Sequence, residues 1–339
     1  MKICILSQQH FSNKHVSEGT VDAFETAFMQ YQANDCIKVP LSEFIFKVNR
    51  KIAIKLHSGG SGILTDKAVI RKVNESNPDF VFIIAMSPGT LAYQVKTLKK
   101  INHKKIVYCI DTWTQRVDQW KSLLKEAGVD CVFCSYKASV KVFREFIKDV
   151  YYLPQSMNEK YFYPRNTGEK THLFMQMGRK NQTLHEWVLR YIAEHGLADS
   201  DYIREKEKGQ IIYPEFEQLA EEINKTSFFI LAPRDVEEPQ ITGAISDVTA
   251  RFYEGMACKT LLVGFKPKDT FDELFPSATA MIEVKDYDDF KNKIDFYRQN
   301  NDVYNEIVEN NYDYLMRHHT WSHRVITLIE KLSDNQKTN

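Results

Sequence analysis

Arg251 and Glu254 are the residues of this chain whose types and spacing point most directly to chemistry. Three positions apart, they share one face if the segment is helical. A helix starting near residues 246–249 puts both within its first two turns. The start of a helix carries unpaired N–H groups and a partial positive charge, so with Arg251 beside it the place suits a phosphate or pyrophosphate. A neighbouring carboxylate, here Glu254, can accept hydrogen bonds from a pair of ribose hydroxyls. The competing reading is an exposed Arg/Glu helix pair, worth only about 0.3 kcal/mol.

The flanking sequence supplies the frame for this pair. Residues 228–232 and 261–264 are apolar runs, and consecutive apolar residues suit strands covered on both faces, as in a parallel α/β sheet. The connection over 233–246 exceeds the usual length in such units, and long ordered loops tend to be functional. Strands are predicted earlier at 2–7, 37–41, 80–84, 106–110, 131–135 and 150–154. Helices fall between them, one over 18–32 with Val21, Phe24, Phe28 and Tyr31 on one face. Others are predicted over 67–75, after Pro88, over 113–125 and over 137–147; residues 44–56, mixed apolar and basic, take no assignment. After a crossing at 154–164, a strand over 172–177 ends in Gly178-Arg179-Lys180 and leads into a helix with Leu184, Trp187, Val188, Tyr191 and Ile192 on one stripe. A late strand at 281–284 and helices at 290–297 and 321–332 close the chain.

At 339 residues the chain exceeds the roughly 250 at which one core usually splits, so two domains are expected. The 45 basic and 45 acidic residues cancel, which argues against a protein that wraps nucleic acid. The apolar core of the first residues is too short for a signal peptide, and no stretch approaches the ~20 apolar residues that span a bilayer, so a cytoplasmic protein is expected. Cys131 and Cys134 form a CxxC, but on a strand they face opposite sides, which favours buried reduced thiols over metal binding. Asp286 and Asp288 form an Asp-x-Asp placed to cap the helix that follows, a reading favoured over a metal site. The glycine-rich loop at 58–62 lacks the Lys-Ser/Thr of a P-loop and reads as a flexible acceptor-side loop or a plain linker. The cluster Lys96, Lys99, Lys100, His103, Lys104 and Lys105 is either a solvated helix end or a peripheral contact to an anionic membrane, at ~1 kcal/mol per charge.

The segment RFYEGMACKTLLVG, residues 251–264, resembles the donor-binding helix of GT-B glycosyltransferases, a Glu followed by a small-residue turn, a Gly and a buried strand. The resemblance is to the CgeB-like (spore maturation protein) branch and extends over 211–332, through YPEFEQLA at 213–220, FDELF at 271–275 and HTWSHR at 319–324. It implies an α/β fold of two Rossmann-like doubly wound domains facing across a cleft. Residues 1–154 would form the acceptor side, with 318–339 packing back on it, and 155–317 the nucleotide-sugar donor domain. It further implies Glu254 on the ribose, and Gly178, Arg179, Lys180, Thr249 and Arg251 around the donor phosphates. Two departures stand out. Ser246 occupies the place of a second Glu eight residues before Glu254, and Lys259 replaces a Gly, so a different turn is expected there.

The function so implied is transfer of a sugar from a nucleotide sugar to an acceptor hydroxyl, in surface glycan synthesis or protein glycosylation, with no metal or other cofactor. The acceptor would be a glycan, a lipid-linked sugar or a protein. Arg251, Arg179 or Lys180, and the helix start would stabilise the departing diphosphate, and a preorganised donor of this kind is worth about 3 kcal/mol. An inverting reaction also needs a general base, for which Asp111 and His10 are the candidates because each follows a predicted strand. Ligands bind at the carboxyl ends of such strands. Asp111 could instead cap the helix over 113–125. Two other readings stay open: a nucleotide-sugar epimerase of the same fold, and a non-catalytic scaffold.

Overall fold

The computed structural model describes residues 1–8, 17–31, 35–55, 62–165, 170–178, 180–207, 210–243 and 245–338, so His10, Arg179 and residues 58–61 of the glycine-rich loop lie outside the described residues. The chain divides into two compact units. The first comprises Met1–Gln155, Gln240–Ile245 and Trp321–Asn339; the second comprises Ser156–Pro239 and Ser246–Thr320. Among the described residues, no helix is long and apolar enough to cross a membrane.

In the first unit the order is β1 (Ile3–Ser7), α1 (Ser17–Tyr31), β2 (Cys36–Pro40), α2 (Glu43–Lys55), α3 (Lys67–Ser76), β3 (Phe80–Ala85), α4 (Pro88–Ala92), α5 (Val95–Leu98), β4 (Lys104–Cys109), α6 (Val117–Ala127), β5 (Cys131–Cys134), α7 (Lys137–Phe143) and β6 (Asp149–Tyr152). The strands form a six-stranded sheet in the order β2-β1-β3-β4-β5-β6, every pair parallel. Their apolar residues divide by the period of two. Cys4, Leu6, Val81, Ile83, Val107 and Cys134 enter one core, while Ile3, Ile5, Phe82, Ile84, Tyr108 and Cys131 enter the other. Cys131 and Cys134 therefore face opposite sides of the sheet, as the strand pattern predicts. The unassigned stretch 44–56 folds mostly into α2, and the helix opened by Pro88 breaks after Ala92 into two short pieces.

The second unit contains β7 (His172–Gln176), α8 (Gln182–Glu194), β8 (Tyr202–Arg204), α9 (Phe216–Asn224), β9 (Thr226–Leu231), α10 (Arg234–Glu237), α11 (Pro239–Thr242, running into the first unit's share), α12 (Ala250–Ala257), β10 (Leu261–Gly264), α13 (Phe271–Leu274), β11 (Ile282–Glu283), α14 (Tyr287–Gln299) and α15 (Asn301–His318). Its five-stranded sheet has the order β11-β10-β9-β7-β8, again all parallel. Met175, Phe229 and Leu262 pack under α9, α12 and α13; Phe174, Phe228 and Leu261 pack under α8, α14 and α15. The last helix, α16 (Trp321–Thr338), belongs to the first unit, where Trp321 meets Phe24 of α1 edge-on at 5.2 Å.

Residues 240–245 are the other contribution to the first unit from outside its main span. Ile245 joins Trp113 and Tyr136 in a small apolar cluster, the two rings stacked at 4.2 Å. The Thr114 hydroxyl donates to the Thr242 carbonyl at 3.0 Å. A contiguous reading assigns this stretch to the second domain; its apolar and hydrogen-bond partners place it in the first.

Candidate functional site

Strand order decides where a ligand can lie on the second unit. β8 flanks β7 on one side and β9 on the other, so the connections leaving β7 and β9 part company at their carboxyl ends and open a crevice there. Three stretches reach that edge: the turn after β7, the residue after β8, and the long connection from β9 to α12.

α12 begins at Ala250, with Thr249 as its extended N-cap residue, whose side chain makes no capping hydrogen bond. Phe252, Tyr253, Met256 and Ala257 bury one side of the helix. Gly255 permits close approach to the sheet, since a Cβ there would lie 2.5 Å from Leu262 and 2.8 Å from Phe229. Arg251 and Glu254 do share a face and form an ion pair, Arg251 Nη1 to Glu254 Oε2. The pair is not an exposed one: Glu254 is only 2 % exposed. A carboxylate so placed depends on its partner, because removing one member of a buried pair costs about 3–5 kcal/mol.

The turn after β7 comes to the same place. Gly178 has φ +84°, a left-handed conformation that leaves room for no strain-free side chain despite open space around it. Glu205, the first residue past β8, lies in the field of Lys180 and Arg251. Lys180 Nζ donates to the Glu205 carbonyl at 2.8 Å. Burial pushes the Glu205 carboxyl above the ordinary carboxylate range, and the Gly178 N–H, Lys180 and Arg251 act against that rise. Lys180 is thus tied to a residue that the sequence did not signal, and Arg251 adds to the field there. Glu237 of α10 is a second such residue: it accepts from the Asn181 side chain, which sets a carboxylate at the start of α8.

The two departures have structural answers. Ser246 is buried; its N–H donates to Asp269 Oδ2 at 2.8 Å and its Oγ accepts from the Lys268 N–H at 3.1 Å, tying it to the loop after β10. Lys259 has φ +50°, so it takes up the left-handed conformation a glycine would adopt. The expected change of turn is corrected accordingly: the backbone keeps the glycine-type conformation, and the lysine is held by Glu309 at 2.5 Å and the Tyr312 ring at 4.9 Å.

Asp111 lies in the first unit, just past the carboxyl end of β4, with its side chain 34 % exposed and Arg116 Nη1 at 3.6 Å. It is not the N-cap residue of the helix that follows. A single 3₁₀ turn, Thr114–Arg116, precedes α6, with Trp113 and Arg116 in the capping positions. His10 and Arg179 lie outside the described residues.

Among the described residues no three His, Cys, Asp or Glu side chains are grouped to hold a metal ion. Asp286 caps α14, its Oδ1 accepting from the Asp289 N–H at 2.8 Å, and Asp289 pairs with Lys293 at 2.8 Å. Burial pushes the Cys131 and Cys134 thiols far up. Within the basic cluster, Lys96 pairs with Glu126 at 2.6 Å. Lys105 is buried, donating to the Ile101 and His103 carbonyls at 3.0 and 3.2 Å.

Residues 182–330 match the sequence profile of a family described as Glycosyl transferase-like, a span that holds Glu205, Arg251 and Glu254. No curated protein matches the chain by sequence. Among solved structures, the chain is similar to HepE of Anabaena in complex with UDP and glucose, with a TM-score of 0.59 at 10 % identity over 98 % of this chain and 100 % of that one. It is also similar to sucrose-phosphate synthase from Thermosynechococcus elongatus, with a TM-score of 0.61 at 12 % identity over 100 % of both chains. The two parallel-sheet α/β domains have the GT-B glycosyltransferase fold.

Proposed function

We propose that this chain is a GT-B glycosyltransferase of the CgeB-like branch, transferring a sugar from a nucleotide sugar to an acceptor hydroxyl without a metal ion. The observation that carries the reading is the buried Glu254 paired with Arg251 at the start of α12, with Lys180 and Gly178 drawn to the same edge. In the transfer, the bond from the anomeric carbon to the diphosphate breaks with its electron pair going to the phosphate oxygen. A bond to the acceptor oxygen forms in its place. Negative charge grows on the diphosphate, and fixed donors aimed at it lower the barrier by about 3 kcal/mol each. Arg251 has five N–H donors, and its pairing with Glu254 leaves others for phosphate oxygens. The N–H groups at the start of α12 add to them, since Thr249 does not cap them.

In an inverting course, Asp111 accepts the proton of the acceptor hydroxyl, with His10 as the alternative base. The acceptor is a surface glycan, a lipid-linked sugar or a protein. Lys99 and Lys100, in the turn after α5, are the residues we assign to a peripheral membrane contact.

The test is thermal melting with UDP, GDP, ADP, CDP and TDP. A diphosphate at a hundred times its dissociation constant stabilises by about 2.7 kcal/mol. One of the five is expected to do so, and to do so equally in EDTA. Silence across all five overturns the reading, and donor returned with its sugar epimerised would make the enzyme an epimerase.

A further inference from the structure

At the opposite edge of the first sheet from Asp111 lies a pocket that the proposed transfer does not use. β4 enters the sheet at Lys104 and leaves it at Cys109, so its amino end is roughly 20 Å from Asp111. There the turn after α5 and the turn from α6 into β5 border a cavity of about 500 Å³. Lys99, Lys104, Lys105 and Lys125 line it, against the carboxylates Glu126 and Asp130. Both carboxylates have partners: Lys96 pairs with Glu126 at 2.6 Å, and the Lys105 N–H donates to Asp130 Oδ2 at 2.7 Å.

The fold does not account for all of these cations. Lys99, Lys104 and Lys125 are exposed, and among the described residues none of them forms an ion pair; Lys104 stands over the Phe80 ring at 6.0 Å. A helix C-terminus favours a lysine, which explains Lys125 in the last turn of α6. It does not explain Lys104, the first residue of a strand. Lys105 is 9 % exposed, and its ammonium gives two of its three donors to the Ile101 and His103 carbonyls. Gly128 keeps the approach to that ammonium open, since a Cβ there would lie 3.6 Å from Lys105 Cε and 3.9 Å from Nζ. Burial holds the Lys105 ammonium below the ordinary lysine range, and Asp130 acts against that fall. A bound anion would act in the same direction as Asp130. Three exposed lysines around a buried fourth suit a group with several charged oxygens, as a phosphate has and a lone carboxylate lacks.

We infer that this pocket is a second anion site, which binds a phosphate or pyrophosphate group through Lys99, Lys104, Lys105 and Lys125, the group belonging to a soluble compound or to a lipid headgroup. The inference goes beyond the nucleotide-sugar reading and stands without it. Binding of inorganic pyrophosphate is measured by calorimetry with the unaltered protein, with Lys104→Glu/Lys125→Glu and with Lys105→Met. Affinity is expected to fall about tenfold or more in each variant, by charge reversal at the rim or by loss of the buried ammonium, and to weaken with added salt in the unaltered protein. Stabilisation by a nucleoside diphosphate, which reads the start of α12, should be the same in all three, so the two sites fail separately. Should either variant not fold, Lys104→Gln/Lys125→Gln removes the rim charges without reversing them and should still weaken binding. Sedimentation with phosphatidylcholine vesicles, with and without phosphatidic acid, separates the sources. Binding only where phosphatidic acid is present, lost in Lys105→Met and competed by pyrophosphate, assigns the headgroup; any other vesicle result with pyrophosphate binding intact assigns a soluble phosphate. Pyrophosphate bound equally by all the variants, or not bound by the unaltered protein, overturns the inference.

Discussion

Acidic residues near the carboxyl ends of the two sheets have opposite surroundings. In the second unit, Glu254 is buried and ion-paired, and Glu205 lies in the field of Lys180 and Arg251. In the first, Asp111 has a side chain a third exposed, with Arg116 Nη1 at 3.6 Å. Under the proposed function the contrast matches two different tasks. A group that stabilises a leaving diphosphate gains from being immobile before the reaction, since no reorganisation is then required. A base that must take a proton from a changing acceptor has to be reachable.

Arg251→Ala tests the immobile side and carries the largest expected effect. Turnover should fall on the order of 10³-fold, and stability by about 3–5 kcal/mol because Glu254 is left buried and unpaired. Pairing it with Glu254→Gln sharpens the point: denaturant unfolding should show most of the stability restored, while turnover stays low. Recovery of both would mean that the arginine serves the fold alone.

Asp111→Asn tests the reachable side. Turnover should drop on the order of 10²-fold with the melting temperature unchanged. Unaltered turnover would leave His10 as the base or identify a retaining reaction, and in either case break the comparison. The smallest effect belongs to Gly178→Ala, which forces a side chain into the left-handed region at a cost of about 1–2 kcal/mol. Open space around that position means the cost should appear as strain alone, without a packing defect.

The sheets were legible because β3, β4, β5, β9 and β10 are near-continuous apolar runs, a pattern that a strand buried on both faces requires. The spacing of Arg251 and Glu254 was legible too, but not the burial of Glu254, which depends on how α12 lies on β9 and β10. Glu205 was missed for a local reason. β8 has only the three residues Tyr202–Arg204, too few to show a period, so the strand whose end it marks went unseen. α2 escaped because its apolar residues are interleaved with Lys47, Arg50 and Lys51, which blurs the stripe. Glu237 meets the start of α8 through a tertiary contact with no counterpart in spacing.

The placement of residues 240–245 with the first unit has a practical consequence for dissecting the protein. The chain passes from one unit to the other at 155/156, 239/240, 245/246 and 320/321, so no single cut yields either unit whole. A fragment ending at Gln155 would lack Trp321, Val325 and Leu328, which cover Phe24 and Phe28. A fragment spanning 156–320 would carry Ile245 without Trp113 and Tyr136 to shelter it. Either truncation leaves sticky hydrophobic surface, so donor-site work calls for the intact polypeptide or for a graft that restores the missing strips.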